Sequence, residues 1–240
     1  MPSPDPLPAP PPDSAPHAQP RITVVTAHAP EAVVASASAA PVPTTASLSL
    51  PAHQAVETLV SPQASFEEKQ AAWGLLRDSG KLDQAITEFE QRASASPTTA
   101  EYPATLGQAY LQKAGTLKDL REQGILGLKA DQSFDAALNL DPANWEAGFW
   151  KATAMSYWPP QLGKSQEIID RFLELIKLQE TRAPQPQFAQ TYATLGDQYQ
   201  KQGYPDYAKQ VWQRGAALFP NDTQLQQKLE NPASTQTAAR

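Results

Sequence analysis

The side chains that most often perform covalent or metal chemistry are scarce in this sequence. The chain contains three histidines, His17, His28 and His53, and no cysteine. Because all three histidines precede residue 64, the rest of the chain lacks the partners for Ser–His or Cys–His catalysis and for a histidine or thiolate metal site. We therefore predict no catalytic residue, no metal site and no cofactor in residues 64–230.

Carboxylates are the remaining groups that could exchange protons with a substrate. Asp131, Asp135, Glu146 and Asp197 are the candidates. Two carboxylates on either side of a bond can act as general acid and general base, but the solvated faces of amphipathic helices explain these four residues better. We predict that the protein is not an enzyme.

Residues Gly163, Lys164 and Ser165 match the last three positions of a phosphate-binding loop. That loop needs another glycine five residues before the one that precedes the lysine, and Trp158 occupies this position. The residues before it also have a helical pattern, whereas the loop follows a strand. An ordinary connection leading into a helix is the better interpretation.

Charge and hydropathy narrow the choice of partner and compartment. The net charge is −6 and no Lys/Arg run occurs, so the electrostatic signature of a nucleic-acid-binding protein is missing. No apolar run reaches the roughly 18 residues that suggest a membrane span, and the first residues do not have the pattern of a signal peptide. We predict a protein or peptide partner and, by default, a cytoplasmic location. A periplasmic or envelope-tethered location is the alternative if an upstream signal has been removed, and the oligomeric state stays open.

The aromatic residues divide the chain into segments. Residues 1–63 carry 14 of the 24 prolines and none of the 19 aromatic residues. Such a segment cannot bury enough apolar surface to offset an ordering cost of about 1–2 kcal/mol per residue. We predict a disordered Pro/Ala-rich tail over 1–63, a folded domain over 64–230, and a disordered C-terminus over 231–240.

The clearest structural unit of the folded domain is a helical hairpin in residues 189–222. Apolar and small residues recur at i, i+3, i+4 and i+7 in its first half, which predicts one face of a helix. Gly203 ends that helix with a left-handed turn, and Pro220 ends the second helix. The inward-facing positions of the two helices are Tyr192, Leu195, Gly196 and Tyr199, followed by Ala208, Trp212 and Gly215.

This unit resembles the tetratricopeptide repeat (TPR), whose pattern has these residue types in this order and spacing. TLGQAYLQK at 105–113 nearly repeats TLGDQYQKQ at 194–202, and further copies start near residues 66 and 145. The resemblance implies an all-α fold, a right-handed α-solenoid of about four helical-hairpin repeats behind the disordered tail. The spacings imply insertions, which lie between the helices around 115–129 in the second copy, where they can add a helical turn, and at 158–164 and after Gln179 in the third. Insertions in repeat arrays map to surface loops.

The resemblance also assigns residues to packing between helices. These repeat-packing residues are Leu106, Gly107, Tyr110, Phe134, Trp145, Tyr192, Leu195, Gly196, Tyr199, Ala208 and Trp212.

Stacked hairpins present a concave groove, which implies a non-catalytic scaffold or assembly factor that holds a partner protein or peptide there. The predicted groove residues, offset from the packing face of each first helix, are Gln70, Glu101, Gln108, Gln112, Phe149, Thr153, Tyr157, Gln190, Asp197 and Lys201. Phe149 and Trp150 have a second interpretation, in which they pack against the helix at 165–180.

A different class of function is kept as the alternative. Trp145, Trp150 and Trp158 could form a sugar- or small-ligand-binding surface, because aromatic faces suit sugar rings. Two of these three tryptophans are better explained as core residues.

Overall fold

The computed structural model describes residues 49–158 and 160–231, and the predicted disorder of 1–48 and 232–240 lies outside the described residues. The described chain is helical and contains no strand, which confirms the predicted all-α class. Two short 3₁₀ turns, Pro160–Leu162 and Pro186–Phe188, lie in the connections before and after the helix Ser165–Glu180. The helices are α1 Leu50–Val60, α2 Phe66–Asp78, α3 Leu82–Ala95, α4 Glu101–Ala114, α5 Leu120–Leu140, α6 Trp145–Met155, α7 Ser165–Glu180, α8 Ala189–Lys201, α9 Pro205–Leu218 and α10 Thr223–Glu230.

Local sequence signals account for several helix boundaries. Ser65 and Glu68 form a reciprocal capping box at the start of α2, which satisfies two backbone donors that the helix leaves free. Gly80 and Gly203 have positive φ angles of 67° and 85°. Each ends a helix with the left-handed turn that glycine adopts without steric cost, so the chain reverses into α3 and α9.

The predicted boundary of the tail at residue 63 is wrong. Leu50–Val60 form α1, and its Ala52, Val56 and Leu59 side chains are buried against α2 and α4. These residues follow the i, i+4, i+7 spacing of a helix face. The absence of aromatic residues concealed it, because small aliphatic side chains suffice for a helix that covers larger residues on its neighbours.

The residues inserted in the second copy lengthen the second helix of that copy, α5. Residues around 115–129 were predicted to lie between two helices and to add at most a helical turn, whereas α5 begins at Leu120 and is 21 residues long. Leu120, Ile125 and Leu128 are exposed on this added part of α5. The inserted residues therefore extend a repeat helix.

Consecutive helices pack on one another, and the pairs α4/α5 and α8/α9 have the most extensive contact. The first pair is different, since α2 packs mainly on α1 and contacts α3 little through its backbone. All the predicted repeat-packing residues are buried. Their close approach is visible at Gly107, where an added Cβ would lie 2.5 Å from Cε1 of Phe134.

The buried apolar residues form two clusters. The N-terminal cluster draws on α1 to α5 and on Ala147 of α6. The C-terminal cluster draws on the rest of α6 and on α7 to α10. Trp150 packs against both, so α6 is the helix that the two clusters share.

Candidate partner-binding surface

The predicted groove residues lie on the first helix of each pair, α2, α4, α6 and α8, or just beyond its end. Glu101, Tyr157 and Lys201 are exposed, and Tyr157 retains 85% of its accessible surface. The half-buried members are Gln70, Gln112, Thr153, Gln190 and Asp197.

Gln108 does not line an open groove, because it is buried between three helices. Its Oε1 accepts a hydrogen bond of 3.2 Å from Nε1 of Trp73, and its Nε2 donates one of 3.4 Å to Oε2 of Glu146. Lys69 Nζ lies 2.7 Å from the other oxygen of Glu146. Gln108 therefore joins α2, α4 and α6 inside the array, and its amide is not available to a partner.

Phe149 was also predicted to line the groove, but it is buried. Only 3% of it is exposed, and its ring stacks on Trp145 with centroids 4.9 Å apart and an interplanar angle of 9°. It meets Phe172 of α7 edge-on, so the interpretation in which it packs against the helix at 165–180 is correct. Phe149 is offset from the usual packing face of the repeat, but it is buried because it packs against two aromatic residues, Trp145 and Phe172.

A cleft of about 250 Å³ opens where the first helices begin. Its walls are the end of α1, the first turns of α2, α4 and α6, and the connection between α7 and α8. The polar side chains that line it are Ser61, Lys69, Glu101, Thr105, Asp141, Asn144, Glu146, Arg182, Gln185 and Gln187.

Carboxylates outnumber cations in this cleft. Lys69 is paired with Glu146, and Nη2 of Arg182 donates a hydrogen bond of 2.7 Å to the Ala143 carbonyl. Asp141 accepts a hydrogen bond from the Ala143 backbone N–H, which leaves its charge uncompensated. The Glu101 carboxylate forms no hydrogen bond or ion pair with the described residues. Arg182 likewise has no ion pair with the described residues, so three carboxylates and two cations leave the cleft a net charge of −1, which favours a positively charged ligand.

Of the polar residues that line the cleft, only Glu101 was among the predicted groove residues. The walls of the cleft include the end of α1 and the 181–188 connection, which the sequence analysis assigned to a disordered tail and to an insertion. Lys69 and Glu146 gave one usable signal, since they lie in the first turns of two first helices, α2 and α6, although α4 lies between these helices in the chain. Their pairing depends on how those helices stack, which spacing alone does not determine.

No protein-family model and no curated protein matches this sequence. Solved structures do. The chain is similar to TTC0263, a thermophilic TPR protein of Thermus thermophilus, with a TM-score of 0.56 and 15% identity over 77% of this chain and 87% of that one. It is also similar to MamA, with a TM-score of 0.51 and 21% identity over 68% of this chain and 84% of MamA.

The chain has the TPR fold. Proteins with this fold typically mediate protein–protein interaction. Within the described residues of the TPR array, no helix is both long and apolar enough to cross a membrane.

The three tryptophans of the alternative ligand site do not form one accessible surface of the TPR array. Trp145 is 4% exposed, and its Nε1 donates a hydrogen bond of 2.9 Å to Gln179 inside the C-terminal cluster. Trp150 is half-buried and meets Phe149 edge-on. Trp145 is therefore unavailable to a sugar ring.

Polar side chains at the C-terminal end of the TPR array form contacts between helices. Lys228 of α10 contacts both carboxylate oxygens of Asp197 on α8, at 2.6 and 2.7 Å. Burial raises the pKa of Asp197 above its usual value, although Lys228 acts in the opposite direction. Lys201 donates a 3.3 Å hydrogen bond to the Ser156 carbonyl. Asp197 is thus a structural contact of α10.

Proposed function

We propose that this protein is a non-catalytic interaction scaffold whose TPR array holds an extended segment of a partner protein. The observation that carries the proposal is the cleft at the first turns of α2, α4 and α6, because it brings side chains of three successive repeats to one concave surface. The TPR fold supports a protein partner.

The charges of the cleft support a partner segment with a Lys or Arg side chain. Glu101 and Asp141 offer carboxylates without a cationic partner among the described residues, and Gln185 and Gln187 supply amide groups in the same wall. Amides can form hydrogen bonds with the backbone of an extended peptide, while the carboxylates favour its basic side chain.

A peptide-library selection on the full chain tests this proposal. We expect enrichment of peptides with a central Lys or Arg, measured against the same library with Glu at that position. Glu101→Lys should reduce binding of the enriched peptides at least about ten-fold, since charge-assisted hydrogen bonds contribute about 1.5–3 kcal/mol. The proposed site is wrong if the enriched peptides bind this variant as well as the parent.

Glu67→Lys provides the matched control, because Glu67 is an exposed carboxylate in the first turn of α2 that does not line the cleft. It makes the same change in net charge and should leave binding unchanged. Equal loss in both variants would indicate a general effect of charge. Tyr157→Ala then tests the exposed remainder of the predicted groove. If this variant loses binding and Glu101→Lys does not, the partner binds along α6 instead of in the cleft.

A further inference from the structure

The correction at α1 moves His53 from the predicted tail into the folded domain. His53 lies one helical turn before Glu57, with its Nε2 3.8 Å from Oε1 of Glu57. Its Nδ1 lies 3.9 Å from Oε1 of Glu88, which belongs to α3. One ligand atom from each of the three side chains lies within 4.8 Å of the others, and the described residues hold no second group of three metal-ligating side chains this close.

We propose that His53, Glu57 and Glu88 form a binding site for Zn²⁺ that joins α1 to α3. Zn²⁺ takes imidazole nitrogen and carboxylate oxygen at about 2.0–2.2 Å, with three protein ligands and a water in open sites. His and Glu four residues apart face the same side of a helix, so both can reach one ion. Glu88 supplies the third ligand from a different helix.

The ligand atoms have to move closer together, and their surroundings allow it. Half of the His53 and Glu57 side-chain surface is exposed, so rotation about their side-chain bonds meets little packing. Two carboxylates with a neutral imidazole carry a charge of −2, which matches the ion. Rotation of the His53 and Glu57 side chains can therefore shorten the distances between the ligand atoms.

Arg92 is the competitor for this site. Its guanidinium forms ion pairs with both Glu57 and Glu88. The Arg92 guanidinium holds the Glu57 carboxylate on the side of α1 that faces His53. Zn²⁺ binding would replace one cation by another of higher charge that also engages the imidazole.

Calorimetric titration of the full chain with ZnCl₂ tests the proposal. The reference protein carries His17→Ala and His28→Ala, which removes the two histidines outside the described residues. We expect one Zn²⁺ per chain in this reference and a higher melting temperature with the metal, because only the folded state brings the three ligands together. If the reference binds no Zn²⁺, the proposal is wrong.

Single substitutions in the reference identify the ligands. His53→Ala and Glu88→Gln should each weaken Zn²⁺ binding more than about ten-fold, since even groups that only orient a ligand change metal affinity by about 10–100-fold. Both variants should also lose the rise in melting temperature. Glu67→Gln, which removes an exposed carboxylate of α2, should leave both readouts unchanged.

Unchanged Zn²⁺ affinity in His53→Ala or Glu88→Gln overturns the site. Helicity measured by circular dichroism without metal shows whether each variant is folded. A variant that has lost helicity is replaced by His53→Gln or Glu88→Ala, for which the same weakening of Zn²⁺ binding is expected. The cleft of the proposed function contains none of these residues, so either proposal can fail alone.

Discussion

Gly196 shows how the absence of one methyl group determines the pairing of α8 and α9. A Cβ at this position would lie 2.0 Å from Nε1 of Trp212, and the indole is held by a hydrogen bond to the Ala193 carbonyl. We predict that Gly196→Ala lowers the free energy of unfolding by at least about 1–3 kcal/mol, the usual cost of overpacking a core. Urea denaturation measures this change.

Gly124→Ala is the matched control for that substitution. Gly124 also lies inside a helix, α5, but an added Cβ would meet no atom within 4 Å. Alanine there should raise the free energy of unfolding by about 0.5–1 kcal/mol, because glycine loses more backbone entropy on folding. Equal effects of the two substitutions would show that space around the glycine does not matter.

Gln179 is a buried polar residue that holds three other groups in place. Its Oε1 accepts hydrogen bonds from Trp145 and Thr191, and its Nε2 donates to the Phe188 carbonyl. We predict that Gln179→Leu costs more than about 3 kcal/mol, since each buried group left unpaired costs about 1–3 kcal/mol. Thermal unfolding tests this against exposed Gln213→Leu, for which a change within about 0.5 kcal/mol is expected.

Burial of single residues was predictable where the repeat pattern applied and not where it failed. The spacing of Leu195, Gly196 and Trp212 indicated packing positions, and all three are buried. Gln108 and Phe149 were assigned to the groove by the same pattern. Gln108 instead contacts Trp73, and Phe149 contacts Trp145, so two large aromatic neighbours changed which side chains face inward.

At the level of helices, α1 is the element that the sequence concealed. Val56 is fully buried in the N-terminal cluster, whereas Gln54 on the same helix is exposed. We predict that Val56→Asp releases α1 and lowers the melting temperature, because an unpaired carboxylate cannot be buried in an apolar cluster without a large cost. Gln54→Asp should have little effect, and limited proteolysis should cleave near α1 only in Val56→Asp.

Helix boundaries elsewhere were predictable because glycine, proline and polar caps mark them directly. Gly203 and Pro220 delimit α9 as their chemistry requires, and Asp222 caps α10. The start of α5 was not predictable, since Gly124 and Gly127 suggest a loop. Asp119 nevertheless caps this helix, since its side chain accepts hydrogen bonds from the backbone N–H groups of Arg121 and Glu122.

For the molecule as a whole, three buried tyrosines predict sensitivity to alkali. Burial, with the Glu90 and Glu180 carboxylates, raises the pKa of Tyr110 and of Tyr192. Burial, with nearby Asp170 and Tyr207, raises the pKa of Tyr199 to about 12. The folded protein thus keeps protons that the unfolded chain loses above a pH of about 10, and stability falls as the pH rises from about 10 to 12.

Circular dichroism during urea denaturation at pH 8 and pH 11 measures that loss. Tyr199→Phe removes one of the three ionisations, so the difference in unfolding free energy between the two pH values should be smaller than in the parent. The comparison between pH values cancels the cost of replacing the side chain at neutral pH. A difference as large as in the parent would contradict the assignment to Tyr199.

The sharing of α6 between the two apolar clusters has a consequence for how the array opens. In a linear repeat each helix depends mainly on its neighbours, so fraying should start from α1 and from α10 and progress inward. Hydrogen–deuterium exchange would then show backbone amides of α6 as the slowest, with protection declining toward both ends. A partner bound at the first turn of α6 would therefore contact the helix that unfolds last.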